Sequence, residues 1–153
     1  MVTYEKGNVL EFFKSGEVNA VLHCCNCRGV MGSGVALQIK NKFPEAYNSY
    51  KKYEAERTLK LGTISMACFQ NGFIYNLHAQ KDYGVGTRQV NYEALYECLE
   101  LVKHDLKMNN FCGVIGVPCK MASDRAGGNW KIVECMIREV FENFNVIVVD
   151  YNR

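Results

Sequence analysis

The stretch Val21–Ile39 reads VLHCCNCRGVMGSGVALQI and holds most of the residues whose types and spacing could do chemistry. An apolar run ends in a polar turn carrying Asn26. A glycine-bearing loop follows from Gly29 to Gly34, and a helical pattern begins at Val35. Strand, glycine loop and helix start is the geometry that aims backbone N–H groups at a phosphate. Glycine lets the backbone approach an oxyanion closely, and the helix N-terminus adds partial positive charge. The same pattern also serves as an ordinary strand-to-helix connection. It is not a P-loop, because no Gly-Lys-Ser/Thr follows, and Gly32-x-Gly34 lacks the third glycine of the dinucleotide fingerprint. Three further side chains have acid–base or nucleophilic chemistry. His23 ends the apolar strand and would titrate near neutrality, although a lone strand-end histidine often serves structure. Lys81 directly follows another apolar strand, which would put its amine at a sheet edge, yet a lysine opening a polar loop is commonly a solvated one. Asp124 could act as a general base or as a plain turn residue. Asp82 and His78 are weaker candidates.

Cys24 and Cys27 form a C-x-x-C, but Cys112 and Cys119 do not supply a second pair at zinc spacing, and the motif precedes a glycine loop rather than opening a helix. No metal site and no cofactor are expected. Cys68, Cys98, Cys112 and Cys135 sit in apolar patterns and read as small reduced hydrophobes. The chain has 153 residues, 48% of them apolar and 22% charged, which suits one soluble domain with a real core. Its formal charge of +2 is too balanced to argue for binding a nucleic-acid backbone. The N-terminal MVTYEKGNV is polar from its third residue, and no run approaches a membrane span, so a cytoplasmic protein is expected.

The elements that must position these residues can be read in order. Val2–Tyr4 is a short strand, Leu10–Lys14 a brief amphipathic piece, and Val18–Leu22 a strand apolar enough to be central and covered on both faces. Val35–Lys42 is helical, and a second helix runs from about Glu45 to Arg57, with Tyr47, Tyr50 and Tyr53 on one side as half-buried packing. Thr63–Phe69 and Phe73–His78 are strands joined at Asn71-Gly72, a strong hairpin signal. Ala79–Gln89 reads as a loop, Tyr92–Met108 as a helix, Phe111–Val117 as an apolar strand, Cys119–Asn129 as a second loop, Trp130–Phe144 as the last helix and Val146–Val149 as the last strand. Strands alternating with helices, with one hairpin inserted, predict a three-layer α/β/α sandwich around a central mixed sheet. Ligands of such sheets bind beyond the carboxyl ends of the central strands. If Val18–Leu22 and Phe111–Val117 are parallel neighbours, their two loops meet at one edge, where Gln80 and Lys81 would also arrive.

Asn26 with Gly29-Val30-Met31-Gly32-Ser33-Gly34-Val35-Ala36 resembles the first ligand loop of macro domains, which bind ADP-ribose. The branch most resembled holds terminal ADP-ribose glycohydrolases, DNA ADP-ribosyl glycohydrolase antitoxins and ADP-ribose 1''-phosphate phosphatases. Gly7-Asn8-Val9 falls where that branch has Gly-Asp-Leu, Asn76 to Lys81 resembles its strand ending in lysine, and Pro118 with Ala126-Gly127-Gly128-Asn129-Trp130 resembles the ends of its second loop. The resemblance implies one macro domain over residues 1–153. It implies that Asn8 lies near the adenine, that Asn26 hydrogen-bonds the distal ribose, and that Met31, Gly32, Ser33, Gly34 and Val35 line the diphosphate. Ala122, Ser123, Arg125, Ala126 and Gly127 would cover phosphates and ribose from the other side. Where the family usually has Gly-Cys-Gly, this chain has Ala122-Ser123-Asp124, so the second loop is expected to be reshaped. The aspartate that partners the lysine in protein-deacylating members falls at Ala126, two residues beyond Asp124.

The resemblance implies Lys81, Asp124 and His23 as the catalytic set and leaves three functions open. The chain would remove ADP-ribose from a macromolecule, with Lys81 attacking the anomeric carbon when its amine is partly neutral. Alternatively it is an ADP-ribose 1''-phosphate phosphatase using His23 and Asp124, or a non-catalytic ADP-ribose-binding module. The implied partner is ADP-ribose or an ADP-ribosylated substrate, with nucleic acid only as such a substrate, no membrane, and the protein a monomer.

Overall fold

A computed structural model of the chain describes residues 1–83, 87–123 and 126–151. The elements are β1 (Val2–Lys6), α1 (Val9–Ser15), β2 (Ala20–Asn26), α2 (Gly34–Lys42), α3 (Pro44–Ala55), β3 (Thr63–Phe69), β4 (Gly72–Gln80), α4 (Tyr92–Met108), β5 (Val114–Pro118), α5 (Trp130–Val140) and β6 (Asn145–Asp150). The strands form one sheet in the order β1-β6-β5-β2-β4-β3. Neighbours are parallel except β3 and β4, which pair antiparallel through the hairpin. The mixed α/β/α sandwich read from the sequence is therefore the observed fold, and β2 and β5 are parallel neighbours as expected.

Strand alternation sends successive side chains to opposite layers. Ala20 and Leu22 of β2 join Tyr75 and Leu77 of β4 and Ile115 and Val117 of β5 in the layer under α4 and α5. Val21 and Ile74 face the other way and pack with Val9, Leu10, Phe13 and Ile39 from α1 and α2. Leu22, Leu77 and Ile115 are fully buried, and each such side chain contributes about 1.5–3 kcal/mol of transfer free energy. Phe13, Phe43 and Phe69 close the lower end of the second layer with edge-on contacts at centroid distances of 5.4–5.8 Å.

Several boundaries differ from the sequence reading for physical reasons. β2 starts at Ala20 but continues through the polar His23-Cys24-Cys25-Asn26, because each of these residues finds a partner on β4. Likewise β4 runs to Gln80, which bridges to Val90, so the expected loop begins two residues late. The hairpin turn is Gln70-Asn71, with Gly72 already paired to Phe69. Gly72 sits at φ 138°, and a Cβ there would strike the backbone oxygen of Asn19. α5 stops at Val140, since Phe141 and Phe144 turn inward and stack on each other edge-on. β5 starts only at Val114. Cys98 is buried as read, but Cys68, Cys112 and Cys135 are exposed, a correction to their reading as core hydrophobes.

The helices differ in how their first turns are capped. Asparagine side chains cap α1, α4 and α5: Asn8, Asn91 and Asn129 each accept a hydrogen bond from a first-turn N–H. α2 begins differently. Ser33 occupies its N-cap position in extended conformation and makes no side-chain cap bond, and the first turn carries no acidic residue.

Candidate functional site

A cavity of about 840 Å³ opens beyond the carboxyl ends of β2, β5 and β6. One wall is the β2–α2 loop with the start of α2, represented by Val30 and Gly32 to Ala36. The opposite wall is the β5–α5 loop from Pro118 to Ala122, with Ala126. Asn8, Val9 and Gln38 close one end, Val149 to Tyr151 border it, and His23 to Asn26 form the floor with Gln80 and Tyr83 alongside.

The first wall is held by Asn26 and Tyr50. Asn26 Oδ1 accepts from the backbone N–H of Arg28 at 3.0 Å and of Val30 at 3.3 Å, and its Nδ2 donates to Val30 O at 2.8 Å. The fully buried Tyr50 hydroxyl lies 2.6 Å from Asn26 O and 2.8 Å from Asn26 Oδ1, and it accepts from Gly29 N at 3.1 Å. Burial pushes the Tyr50 phenol well above its ordinary range, so it remains a neutral hydrogen-bonding group. Lys51 donates to Gly29 O at 3.1 Å and pairs with Glu54. Gly29 sits at φ 82°, a conformation that favours glycine, and a Cβ there would also displace the Glu54 carboxylate. The loop is thus tied to α3 and to its own turn, and it delivers α2 with its N-terminus open to the cavity. The first N–H groups of a helix have no intrahelical acceptor. Among the described residues no side chain caps them, so they and the aligned peptide dipoles favour an anion.

The second wall has a different local chemistry. Lys120 and Ala122 take left-handed φ values of 62° and 64° without being glycine. Ala122 O accepts from Gly128 N at 2.9 Å, closing the loop, and Ala126 O accepts from Gln89 N at 2.8 Å and Val90 N at 3.2 Å, tying it to the segment before α4. Ala122 thus holds by main-chain bonding a conformation that glycine would adopt freely.

The sequence-predicted residues fall in several places. Asn8, His23, Asn26, Gly32, Ser33, Gly34, Val35, Ala122 and Ala126 line the cavity. Met31 is buried beneath it, packed with Cys25 and Tyr50. Ser123 bonds Met121 O at 3.2 Å and Gly127 sits at φ 74°, and neither is among the cavity-lining residues. Lys81 is exposed and borders a neighbouring depression with Arg88, Gln89 and Glu93, one residue beyond the cavity-lining Gln80. Asp124 and Arg125 lie outside the described residues. Asn8 is committed twice, accepting from Leu10 N at 2.9 Å and donating to Gln38 Oε1 at 3.1 Å. Arg28 and Asp82 pair at 3.1 Å across the rim, and the Tyr83 N–H, with Arg28, holds the Asp82 carboxyl below its usual range.

His23 is nearly fully buried at the floor, with Nε2 2.6 Å from Asn76 Oδ1. Burial pushes its imidazole down to about 4, against the hydrogen bond to Asn76, so the ring is neutral at pH 7. His78, on the same face, is likewise held to about 4 by burial and by His23. Tyr50 and Asn76 escaped the sequence reading as functional residues. Tyr50 was visible only as part of a tyrosine stripe, and Asn76 only as a polar residue inside an apolar strand. Among the described residues, no cluster of three or more His, Cys, Asp or Glu side chains has the geometry to hold a metal ion, and no helix is long and apolar enough to cross a membrane.

Known proteins share this arrangement. The family model described as "Macro domain" matches residues 22–136. An uncharacterised 17.5 kDa protein of phage T4 is 29% identical over 161 residues, covering 99% of this chain and 97% of its own length. The ADP-ribose 1''-phosphate phosphatase of Candida albicans is 27% identical, covering 97% of this chain and all of its own. The DNA ADP-ribosyl glycohydrolase of Thermus aquaticus is 28% identical over 93% of this chain but only 38% of its own length, so the chain spans less than half of that relative. The solved macrodomain of Thermus aquaticus DarG superposes with a TM-score of 0.77 at 28% identity, covering 99% of this chain and 97% of that one.

Proposed function

Since this chain belongs to the macro domain family, we propose that its cavity binds ADP-ribose and that the protein hydrolyses an ADP-ribose derivative, removing ADP-ribose from a modified macromolecule. The observation that carries the reading is the open N-terminus of α2. Its unpartnered N–H groups, preceded by Gly32 and Ser33, form an anion site facing a cavity large enough for a dinucleotide-sized ligand. In this reading Gly32 to Val35 hold the diphosphate. Asn26 turns its second Nδ2 hydrogen to the distal ribose, its oxygen being committed to the loop. Asn8 and Gln38 meet the base at the closed end. Ala122 and Ala126 cover the ligand from the second loop, to which Ser123 and Gly127 also belong. Asp124 serves as base or ribose partner.

Lys81 is the proposed nucleophile. Its exposed place next to Gln80 suits a step in which the incoming macromolecule covers it, since a lysine amine attacks an anomeric carbon only when partly neutral. The reading takes residues 1–153 as one domain, supported by β1 pairing with β6 at the two ends of the chain, and treats it as a cytoplasmic monomer. Purified protein offered ADP-ribosylated protein, ADP-ribosylated DNA and ADP-ribose 1''-phosphate in parallel tests the reaction. Release of ADP-ribose from a macromolecule, lost in Lys81→Ala while ADP-ribose binding persists, is the expected result.

One observation favours a second reading, phosphatase action on ADP-ribose 1''-phosphate: the likeness to the Candida albicans phosphatase runs the full length of both chains. Phosphate release with no action on modified protein or DNA, unaffected by Lys81→Ala, would select it. Tight ADP-ribose binding with every substrate inert would leave a binding module.

A further inference from the structure

Beneath α3, polar side chains stand side by side in a layer that is otherwise apolar. Register places them: Thr63 lies opposite His78, Ser65 opposite Asn76, and His23 beside Asn76 on the next strand. Ser65, Asn76, His78 and His23 are all buried. Burying so many polar groups is costly unless each bond is made in the right direction.

The directions follow from groups that can only accept. The Lys60 carbonyl takes the Thr63 hydroxyl proton at 2.6 Å, so Thr63 Oγ1 accepts from His78 Nδ1–H at 2.8 Å. The neutral His78 then has a bare Nε2, which accepts from the Ser65 hydroxyl at 2.8 Å. Ser65 Oγ accepts from Asn76 Nδ2 at 3.0 Å, and the Ala46 carbonyl accepts from the same nitrogen at 3.0 Å. The Ala46 bond orients the Asn76 amide, leaving Oδ1 against His23 Nε2 at 2.6 Å. Oδ1 cannot donate, so the His23 proton is on Nε2 and Nδ1 carries a lone pair. Cys25 Sγ lies 3.8 Å from Nδ1 and 3.7 Å from Nε2. A point nearly equidistant from both ring nitrogens sits at a right angle or worse to either lone pair, so the sulfur is no in-line partner.

We propose that this ladder is a tautomer lock that leaves Nδ1 of His23, a residue lining the cavity, as an acceptor for a ligand hydroxyl or a water. Asn76, Ser65, His78 and Thr63 are positioning residues. Asn76 cannot pass a proton along, so the ladder fixes a state rather than conducting. A fully ionised phosphate oxygen has only lone pairs and is repelled at this point, so His23 discriminates for an O–H group. The titratable groups packed around the pair of histidines are Cys25 on β2 and Tyr50 and Tyr53 on α3.

The test is two-bond ¹H–¹⁵N correlation of the histidine rings in the intact protein, with His23 assigned through His23→Gln. The expected pattern between pH 5.5 and 8 is a neutral Nε2–H ring with an unprotonated Nδ1. A Nδ1–H tautomer or an imidazolium in that range overturns the lock. Asn76→Asp should turn His23 into a ring that titrates within the range, because a carboxylate facing Nε2–H favours the cation. A folded Asn76→Asp protein with an unchanged His23 also overturns it. The ligand half rests on the ADP-ribose reading above, with binding followed separately by calorimetry. ADP-ribose should move the Nδ1 signal toward its hydrogen-bonded position. Binding heat with a stationary Nδ1 signal overturns the acceptor role and leaves the ADP-ribose reading standing. Absence of heat counts against that reading, and the free-protein spectrum still decides the lock.

Discussion

At Tyr50 a single hydroxyl decides the shape of the first ligand wall. It meets Asn26 O, Asn26 Oδ1 and Gly29 N at once, and all three lie within the turn that leads to α2. Tyr50→Phe keeps the ring and its packing but leaves these buried groups short of a partner, which should cost about 1–2 kcal/mol of stability in denaturant melts. It should also weaken ADP-ribose binding. A variant with unchanged binding would show that the turn holds without α3. Asn26 was legible because, with the glycine loop that follows it, it resembles the first ligand loop of macro domains. Tyr50 was not legible, since helical spacing identifies a buried face but not which hydroxyl on that face finds a loop carbonyl. His23 was readable as a strand-end imidazole. Its neutral state was not, because that depends on Asn76, a partner supplied by pairing between β2 and β4.

At the scale of elements, the two loops solve one problem in two ways. The β2–α2 loop uses glycine where its φ is positive, at Gly29 and Gly34. The β5–α5 loop uses Lys120 at φ 62° and Ala122 at φ 64°, holds Ala122 with the Gly128 N–H, and places Gly127 at φ 74°. Gly127→Ala would place a Cβ 3.0 Å from the Arg88 backbone as well as straining φ, and should cost roughly 1–2 kcal/mol while loosening the tie between this loop and the start of α4. A melting curve indistinguishable from the parent would contradict that. Element type and order were legible because apolar runs and the hairpin turn are local signals. Strand ends were not: the polar tail of β2 is a strand only because β4 offers it partners. The place of Lys81 was half legible, since alternation after Phe73–His78 separates Gln80 from Lys81, as the cavity and the neighbouring depression do.

For the whole molecule, the buried histidine pair links stability to pH. Both imidazoles sit at about 4 in the folded chain against about 6.5 when unfolded, so between those values the unfolded state binds more protons. Stability should be full above about pH 6.5, fall as pH drops through the window, and flatten below about pH 4. Each histidine could account for roughly 3 kcal/mol across that span, and their mutual repulsion makes the two losses non-additive. Urea midpoints measured from pH 7.5 to 4 check this. Flat midpoints would mean that the fold holds neither ring neutral.

If the open start of α2 makes this cavity an ADP-ribose site, isothermal titration with ADP-ribose reads it out without any reaction having to occur. The parent protein should bind one equivalent. Gly32→Glu should lose binding without losing its fold, because Gly32 is exposed, has no left-handed φ and would meet only Val30 at 3.3 Å with a Cβ, while the new carboxylate would stand where the diphosphate is proposed to lie. No heat and no thermal shift with the parent protein at millimolar ADP-ribose, or equal binding by the folded Gly32→Glu variant, would contradict the account.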